Sequence, residues 1–388
     1  MNVGPSPWTF RTSPTIVFGR GAIQELPDQL RRTGAGKAFV VTDPGIVEAG
    51  ILARVETILQ DAGIKYQTWT HVPPEPPTHS VDACAAAMQE AAPDVVIGLG
   101  GGSAMDSSQI AACIVTNGGK TEDWLGVETL RKPGIPTISV PTTAGTASEL
   151  TGNAVVVLPD HSNKLAVVSP FIYPRVAVID PALTDSLPPN VTAATGMDAF
   201  CHASETYLSL GATTHTRMFA TESMRRIVEY LPRVVKNSHD ANARDQMSFA
   251  CTLAGYSLAN AGTIIVHGLA HVIGARARIP HGVANTLCLL PVMRLCAESI
   301  PERMAGMAEP LGAANGNADA STQAQAVVDR MVALVDQVGL PVQLSKVGVA
   351  REWFPDVARS TASNTRLFNQ SPVKPSESEM VQLLESVY

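Results

Sequence analysis

Two short runs concentrate groups that bind divalent cations: Asp198-Ala-Phe-Cys-His202, and His267-Gly-Leu-Ala-His271 followed by His281. Imidazole and carboxylate are the donors that Fe²⁺ or Zn²⁺ recruits, and an i,i+4 spacing puts both members of a pair on one helical face. A lone histidine on an apolar helix is ordinarily just packed. Here three of nine histidines lie between positions 267 and 281, and an Asp/His pair repeats the same interval, which points to a metal. Asp198, His202, His267 and His281 are the expected ligands. His271 is a fifth ligand or, on the preferred reading, an acid/base group beside an open coordination position. His-x-x-x-His is also the zinc-peptidase spacing, but that chemistry needs a glutamate directly after the first histidine, and Gly268 stands there. Hydrolysis is disfavoured.

A second constellation is rich in glycine. Gly98-Leu-Gly-Gly-Gly-Ser-Ala-Met-Asp106 follows an apolar run and leads into a helical pattern. Glycines let a backbone approach a phosphate, and a helix N-terminus offers free N–H groups and partial positive charge. The last glycine of the usual dinucleotide fingerprint falls on Ser103, and a ligand-free strand-to-helix turn is the competing reading. Pro141-Thr-Thr-Ala-Gly-Thr-Ala-Ser-Glu149 is a second polar loop after a strand-like run. Two such loops at strand C-termini are where an open α/β sheet binds ligands, so together they favour a nucleotide. Asp43 ends another apolar run. A carboxylate there accepts hydrogen bonds from an adenosine ribose and repels a 2′-phosphate, favouring NAD over NADP; a turn initiator before Pro44 is the alternative.

The elements that must position these groups divide the chain in two. Between Thr15 and Asp180, the runs 37–43, 94–99, 136–140 and 176–180 are apolar throughout, as suits parallel strands covered on both faces. Residues 154–158 and 164–168 flank Pro159-Asp-His-Ser-Asn163 as a hairpin. Beyond Leu187-Pro188-Pro189, helical periodicity dominates in 193–209, 216–229 and 247–264. The expected architecture is an α/β dinucleotide-binding (Rossmann-like) domain over residues 1–187 and an all-α metal-binding domain over 188–388. Such a domain boundary is a usual place for a small-molecule cleft.

Composition agrees. A chain of 388 residues exceeds one growing core, and 45% hydrophobic with 16% charged residues is ample for burial. Lys plus Arg total 28 against 35 Asp plus Glu, a net −7 with no long basic run, which disfavours nucleic acid. The N-terminus lacks a basic n-region and apolar core, and no apolar run reaches transmembrane length, so a cytoplasmic location without membrane partner is expected. The six cysteines form no Cys-x-x-Cys pair, and Cys201 reads as a small buried hydrophobe.

Taken together, Gly100-Gly-Gly-Ser-x-x-Asp106, Pro141-Thr-Thr-Ala-Gly-Thr-x-Ser-Glu149, Gly196-Met-Asp-Ala199 with His202, and His267-Gly-x-x-His271 through His281-Gly282 resemble the iron-containing (group III) alcohol dehydrogenase family. The match runs from Phe18-Gly19 to beyond Pro291. The resemblance implies a dehydroquinate synthase-like architecture with Asp198, His202, His267 and His281 on Fe²⁺ (Zn²⁺ being possible) and His271 off the metal near the nicotinamide. It implies a pyrophosphate loop of Gly101, Gly102 and Ser103, in a motif closed by Asp106. Thr142, Thr143, Val155 and Lys164 would line the cofactor cleft, and Asp43 would select NAD. The chain departs from the family's pattern at Ala104, Gln109, Glu75 and Leu258; the first three bear on cofactor affinity and the last on the substrate pocket.

The activity implied is hydride transfer between an alcohol activated by the metal and a nicotinamide, with an alcohol or aldehyde as partner and a homodimer or higher homo-oligomer as assembly. Rival readings are a hydroxyacid–oxoacid transhydrogenase, a glycerol dehydrogenase-like polyol oxidoreductase, a dehydroquinate synthase-like lyase and, most remotely, a non-enzymatic scaffold.

Overall fold

In a strand buried on both faces, successive side chains point into two different cores, so the whole run must be apolar. The computed structural model, which describes residues 8–388, shows this in Lys37–Val41 (β2) and Val95–Gly100 (β4). Ala38, Val40, Val95, Ile97 and Leu99 enter one core with Leu26, Leu30, Val55 and Leu59. Phe39, Val41 and Val96 enter the other, with Val81, Met88 and Ile110.

These strands belong to a six-stranded parallel sheet with Thr15–Phe18 (β1), Lys65–Trp69 (β3), Thr137–Pro141 (β6) and Val176–Ile179 (β9), in the order β1-β9-β6-β4-β2-β3. Gly126–Val127 (β5), Asn153–Val157 (β7) and Lys164–Val168 (β8) form a smaller sheet in which β7 and β8 are the anticipated antiparallel hairpin. Helices Leu26–Arg32 (α1), Pro44–Glu48 (α2), Ile51–Asp61 (α3), Thr78–Ala91 (α4) and Gly102–Asn117 (α5) complete this unit, which spans residues 12–187. The chain winds outward from β2 to β3, then passes to β4 on the other side of β2. The winding therefore reverses between β2 and β4, and the carboxyl ends of such a pair are where open α/β sheets bind ligands.

The other unit comprises residues 188–388 together with the described residues up to Arg11. Trp8 and Phe10 pack on His215, with ring centroids 4.7 and 5.5 Å away, and this contact accompanies their grouping with the helical part. The unit is built from Pro189–Leu208 (α6), Thr214–Lys236 (α7), Ala241–Ala261 (α8), Ile265–Ala277 (α9), His281–Ser299 (α10), Pro301–Ala305 (α11), Ala320–Val338 (α12), Phe354–Ser363 (α13), Thr365–Gln370 (α14) and Glu377–Glu385 (α15). Pro189 sits in the first turn of α6, where its fixed φ is preorganised and no N–H is lost. Asp240 caps α8, accepting from the Ala243 N–H at 2.9 Å. Among the described residues no single helix is long and apolar enough to cross a membrane.

Candidate metal centre and nucleotide loops

Three helices of the second unit bring the donors together. α6 carries Asp198 and His202 one turn apart, α9 carries His267 and His271 in the same relation, and α10 begins at His281. Asp198 Oδ1 lies 3.7 Å from His202 Nε2, 3.9 Å from His267 Nε2 and 3.8 Å from His281 Nε2. These separations are too long for hydrogen bonds. They suit atoms arranged around a shared centre, since two donors each about 2.1 Å from one cation lie on the order of 3–4 Å apart. The donor atoms of Asp198, His267 and His281 all fall within 4.8 Å of one another. His202 stands on the same carboxylate oxygen, its ring stacked on His267 at 4.9 Å. His271 is buried alongside, its ring 6.0 Å from His267 and 5.4 Å from His281.

The carboxylate and imidazole nitrogens are the borderline donor set that Fe²⁺ and Zn²⁺ share, so the residues present fit the ion. Asp198, His202 and His267 are buried, whereas the His281 side chain is 24% exposed, which makes its side of the cluster the accessible one.

Two residues that the sequence reading missed complete the centre. Glu205, fully buried on α6, meets His267 Nδ1 with Oε1, and its Oε2 accepts from the Ile264 N–H at 2.9 Å. An ionised carboxylate can only accept, so Nδ1 carries the proton and the His267 lone pair sits on Nε2, facing Asp198. Burial pulls the His267 pKa down, but the Glu205 charge and hydrogen bond together with the Asp198 charge more than offset this, leaving it raised. Asn285, one turn after His281, donates from Nδ2 to Asp198 Oδ1 at 2.7 Å. Sequence signals existed for both: Glu205 follows His202 by three residues and Asn285 follows His281 by four, each on the same helical face.

In the α/β unit, the predicted loops meet at the winding reversal. Asp43 caps α2, accepting from the Ile46 N–H at 3.1 Å, so the turn-initiating role is real. Its carboxylate also lies against Gly100, where an added Cβ would stand 3.1 Å from Asp43 Oδ2. Burial raises its pKa against the opposing N–H bonds of Ile46 and Gly45. Gly101 caps α5 and Gly102 and Ser103 form its first turn. A Cβ on Gly102 would come within 2.8 Å of the Thr146 side chain, and one on Gly101 would meet Thr143 at 3.6 Å, so the two loops are packed together. Thr142 is buried and its N–H donates to Gly100 O at 3.0 Å.

Asp106 turns inward, where Oδ2 accepts from the Val155 N–H at 2.8 Å and ties α5 to β7. Desolvation pushes its carboxyl up to about 7, with the Glu75 charge adding to the rise against the bonds from Val155 and Ser148. Lys164 is buried and ion-paired with Glu75, whose backbone is left-handed at φ 52°. Gln109 Nε2 donates to Ser148 O at 3.3 Å and to Ser139 Oγ at 3.4 Å.

A parallel α/β unit with paired glycine and threonine loops at its winding reversal, and a helical unit with converging imidazoles on one carboxylate, define a class: metal-dependent dehydrogenases of two units. Comparison with known proteins agrees. The model of the iron-containing alcohol dehydrogenases matches residues 13–181, and that of the C-terminal part of the Fe-containing alcohol dehydrogenase family matches 192–388. The chain is 35% identical to long-chain-alcohol dehydrogenase 1 of Geobacillus thermodenitrificans (strain NG80-2), covering 97% of this chain and 95% of the relative. It is 33% identical to the NAD-dependent methanol dehydrogenase of Bacillus methanolicus, covering 92% and 96%. A crystal structure of 1,3-propanediol oxidoreductase superposes with a TM-score of 0.95 at 31% identity, over 99% of this chain and all of that one. The chain belongs to the iron-containing alcohol dehydrogenase family.

Proposed function

We propose that this protein is an Fe²⁺-dependent, NAD(H)-linked alcohol dehydrogenase and aldehyde reductase acting on a small alcohol, in which Asp198, His202, His267 and His281 hold the metal. The observation that carries this reading is the single carboxylate oxygen, Asp198 Oδ1, ringed by three Nε2 atoms at 3.7–3.9 Å. When bound, the divalent cation supplies Lewis-acid polarisation of an alcohol or carbonyl oxygen.

The chain's own residues do the rest. Glu205 fixes the ring of His267 in the tautomer whose Nε2 is a donor. His271, buried against the His267 and His281 rings, takes up the hydroxyl proton on its imidazole and releases it toward solvent. Gly101, Gly102 and Ser103 present the N-terminus of α5 to the pyrophosphate, with Thr142 and Thr143 beside them and Val155 and Lys164 lining the cofactor site. Asp43 accepts ribose hydroxyls and repels a 2′-phosphate, so NAD is preferred over NADP.

The test is anaerobic purification, metal removal with a chelator and return of Fe²⁺ or Zn²⁺. Nicotinamide absorbance is then followed with short alcohols, diols and hydroxyacids on NAD⁺ and NADP⁺. Metal-dependent NAD⁺ reduction is expected. Absence of turnover with every alcohol and aldehyde, or equal use of NADP⁺, overturns the reading or its cofactor assignment respectively.

A further inference from the structure

The Asn285 amide nitrogen faces three acceptors at once: Asp198 Oδ1 at 2.7 Å, His281 Nε2 at 3.1 Å and His267 Nε2 at 3.2 Å. The amide orientation is dictated chemically, because its oxygen turned toward Asp198 would set two acceptors against each other. A primary amide has two hydrogens, so it satisfies at most two of these three neighbours and leaves the donor cluster short of positive charge. Its own Oδ1 is buried with no hydrogen-bond partner among the described residues, an arrangement that costs fold stability. Asn285 is fully buried on α10, where a leucine of similar size would carry no such cost.

We infer that Asn285 is a positioning residue for the metal, its amide gathering the donor atoms of Asp198, His267 and His281 before the ion arrives. Because it stands one helical turn from His281, it locks α10 to the carboxylate of α6 and the imidazole of α9. The ligands are thereby held close without being neutralised. That is the state from which a cation binds with least rearrangement.

This inference rests on the metal reading above, and the experiment separates the two. Wild-type protein is stripped and titrated with Co²⁺ and Fe²⁺, and the rate of ion release into excess chelator is measured with the Co²⁺ visible spectrum. Failure of the wild type to bind either ion stoichiometrically overturns the metal reading itself. Given binding, Asn285→Leu is expected to release the ion about 10–100-fold faster, while the metal-free protein melts no lower than wild type. Asn285→Ala removes the donor without adding bulk or a new ligand, and is likewise expected to release the ion about 10–100-fold faster. Unchanged release rates in both variants, with only melting temperatures altered, would reduce Asn285 to packing and overturn the inference; the alanine variant decides alone if the leucine variant does not fold.

Discussion

At the donor cluster Glu205 orients His267 and Asn285 holds Asp198, which makes single substitutions informative. Glu205 decides which nitrogen of His267 carries the proton and anchors the entry to α9 through Ile264 N–H. Glu205→Gln keeps the volume but weakens that orientation, because the amide bond to Nδ1 is no longer charge-assisted. Metal affinity should fall by about 10–100-fold, read by competition with a chromogenic chelator; an unchanged affinity would mean the pair serves folding alone. His271 calls for a different readout. On the proposed assignment it stays off the metal beside the His281 ring, so His271→Ala should retain full metal content while the pH dependence of kcat/KM loses its histidine limb. Retention of both metal and the complete pH–rate profile would remove the relay role. The candidate donors were legible in the sequence because Asp198/His202 and His267/His271 repeat one interval, with His281 close behind. Glu205 and Asn285 share helical faces with His202 and His281, but that spacing alone gives a lone glutamate or asparagine no role until three helices converge on it.

At the scale of elements, the centre depends on how closely α10 approaches α6. A Cβ on Gly282 would stand 1.9 Å from the Ala194 carbonyl oxygen and 2.6 Å from its carbon. Backbone meets backbone there, so no rotamer change relieves the clash, and Gly282→Ala must push the first turn of α10 outward, carrying His281 with it. A loss of about 1–3 kcal/mol is expected from overpacking, read as a lower melting temperature together with reduced metal content; a variant that melts lower yet binds metal as wild type would show that His281 tolerates the shift. The elements themselves were legible where burial was complete. β2, β4, β6 and β9 announced themselves as apolar runs because both faces are covered, whereas β3, Lys65-Tyr-Gln-Thr-Trp69, is an edge strand with exposed polar residues and left no such signal. The helical run expected over 247–264 stops at Ala261, because Gly262 takes a left-handed φ of 68° and Glu205 captures the Ile264 N–H. Such a stop depends on a residue some sixty positions away, as the separation of 59 in that bond makes plain. Helix starts were placed late for a local reason: caps and first turns such as Pro188-Pro189 and Thr213-Thr214 lie outside the apolar periodicity.

For the whole molecule, the buried carboxyls of the α/β unit make stability a function of pH. Desolvation pushes both Asp106 and Glu149 up to about 7, and the Asp106 charge adds to the rise at Glu149. In the unfolded chain they ionise near 3.8 and 4.5. Between those values and about 7 the folded state binds more protons than the unfolded state, so raising the pH across this window removes stability; below it their contribution is fully present. At about 1.4 kcal/mol per unit, Asp106 accounts for roughly 4 kcal/mol lost by about pH 8. Asp106→Asn abolishes that titration while its amide oxygen can still accept from Val155 N–H. The stability of Asp106→Asn relative to wild type should therefore improve by several kcal/mol between about pH 4 and about pH 8. Since the chain comprises two compact units, a single melting midpoint can mix two transitions. Hydrogen exchange at core amides of β4, such as Ile97, reports the opening free energy of the α/β unit alone. Parallel pH profiles for the two proteins would show that Asp106 is ionised in the fold throughout, and its charge would then have to be balanced within the α/β unit, where the buried ammonium of Lys164 already serves Glu75.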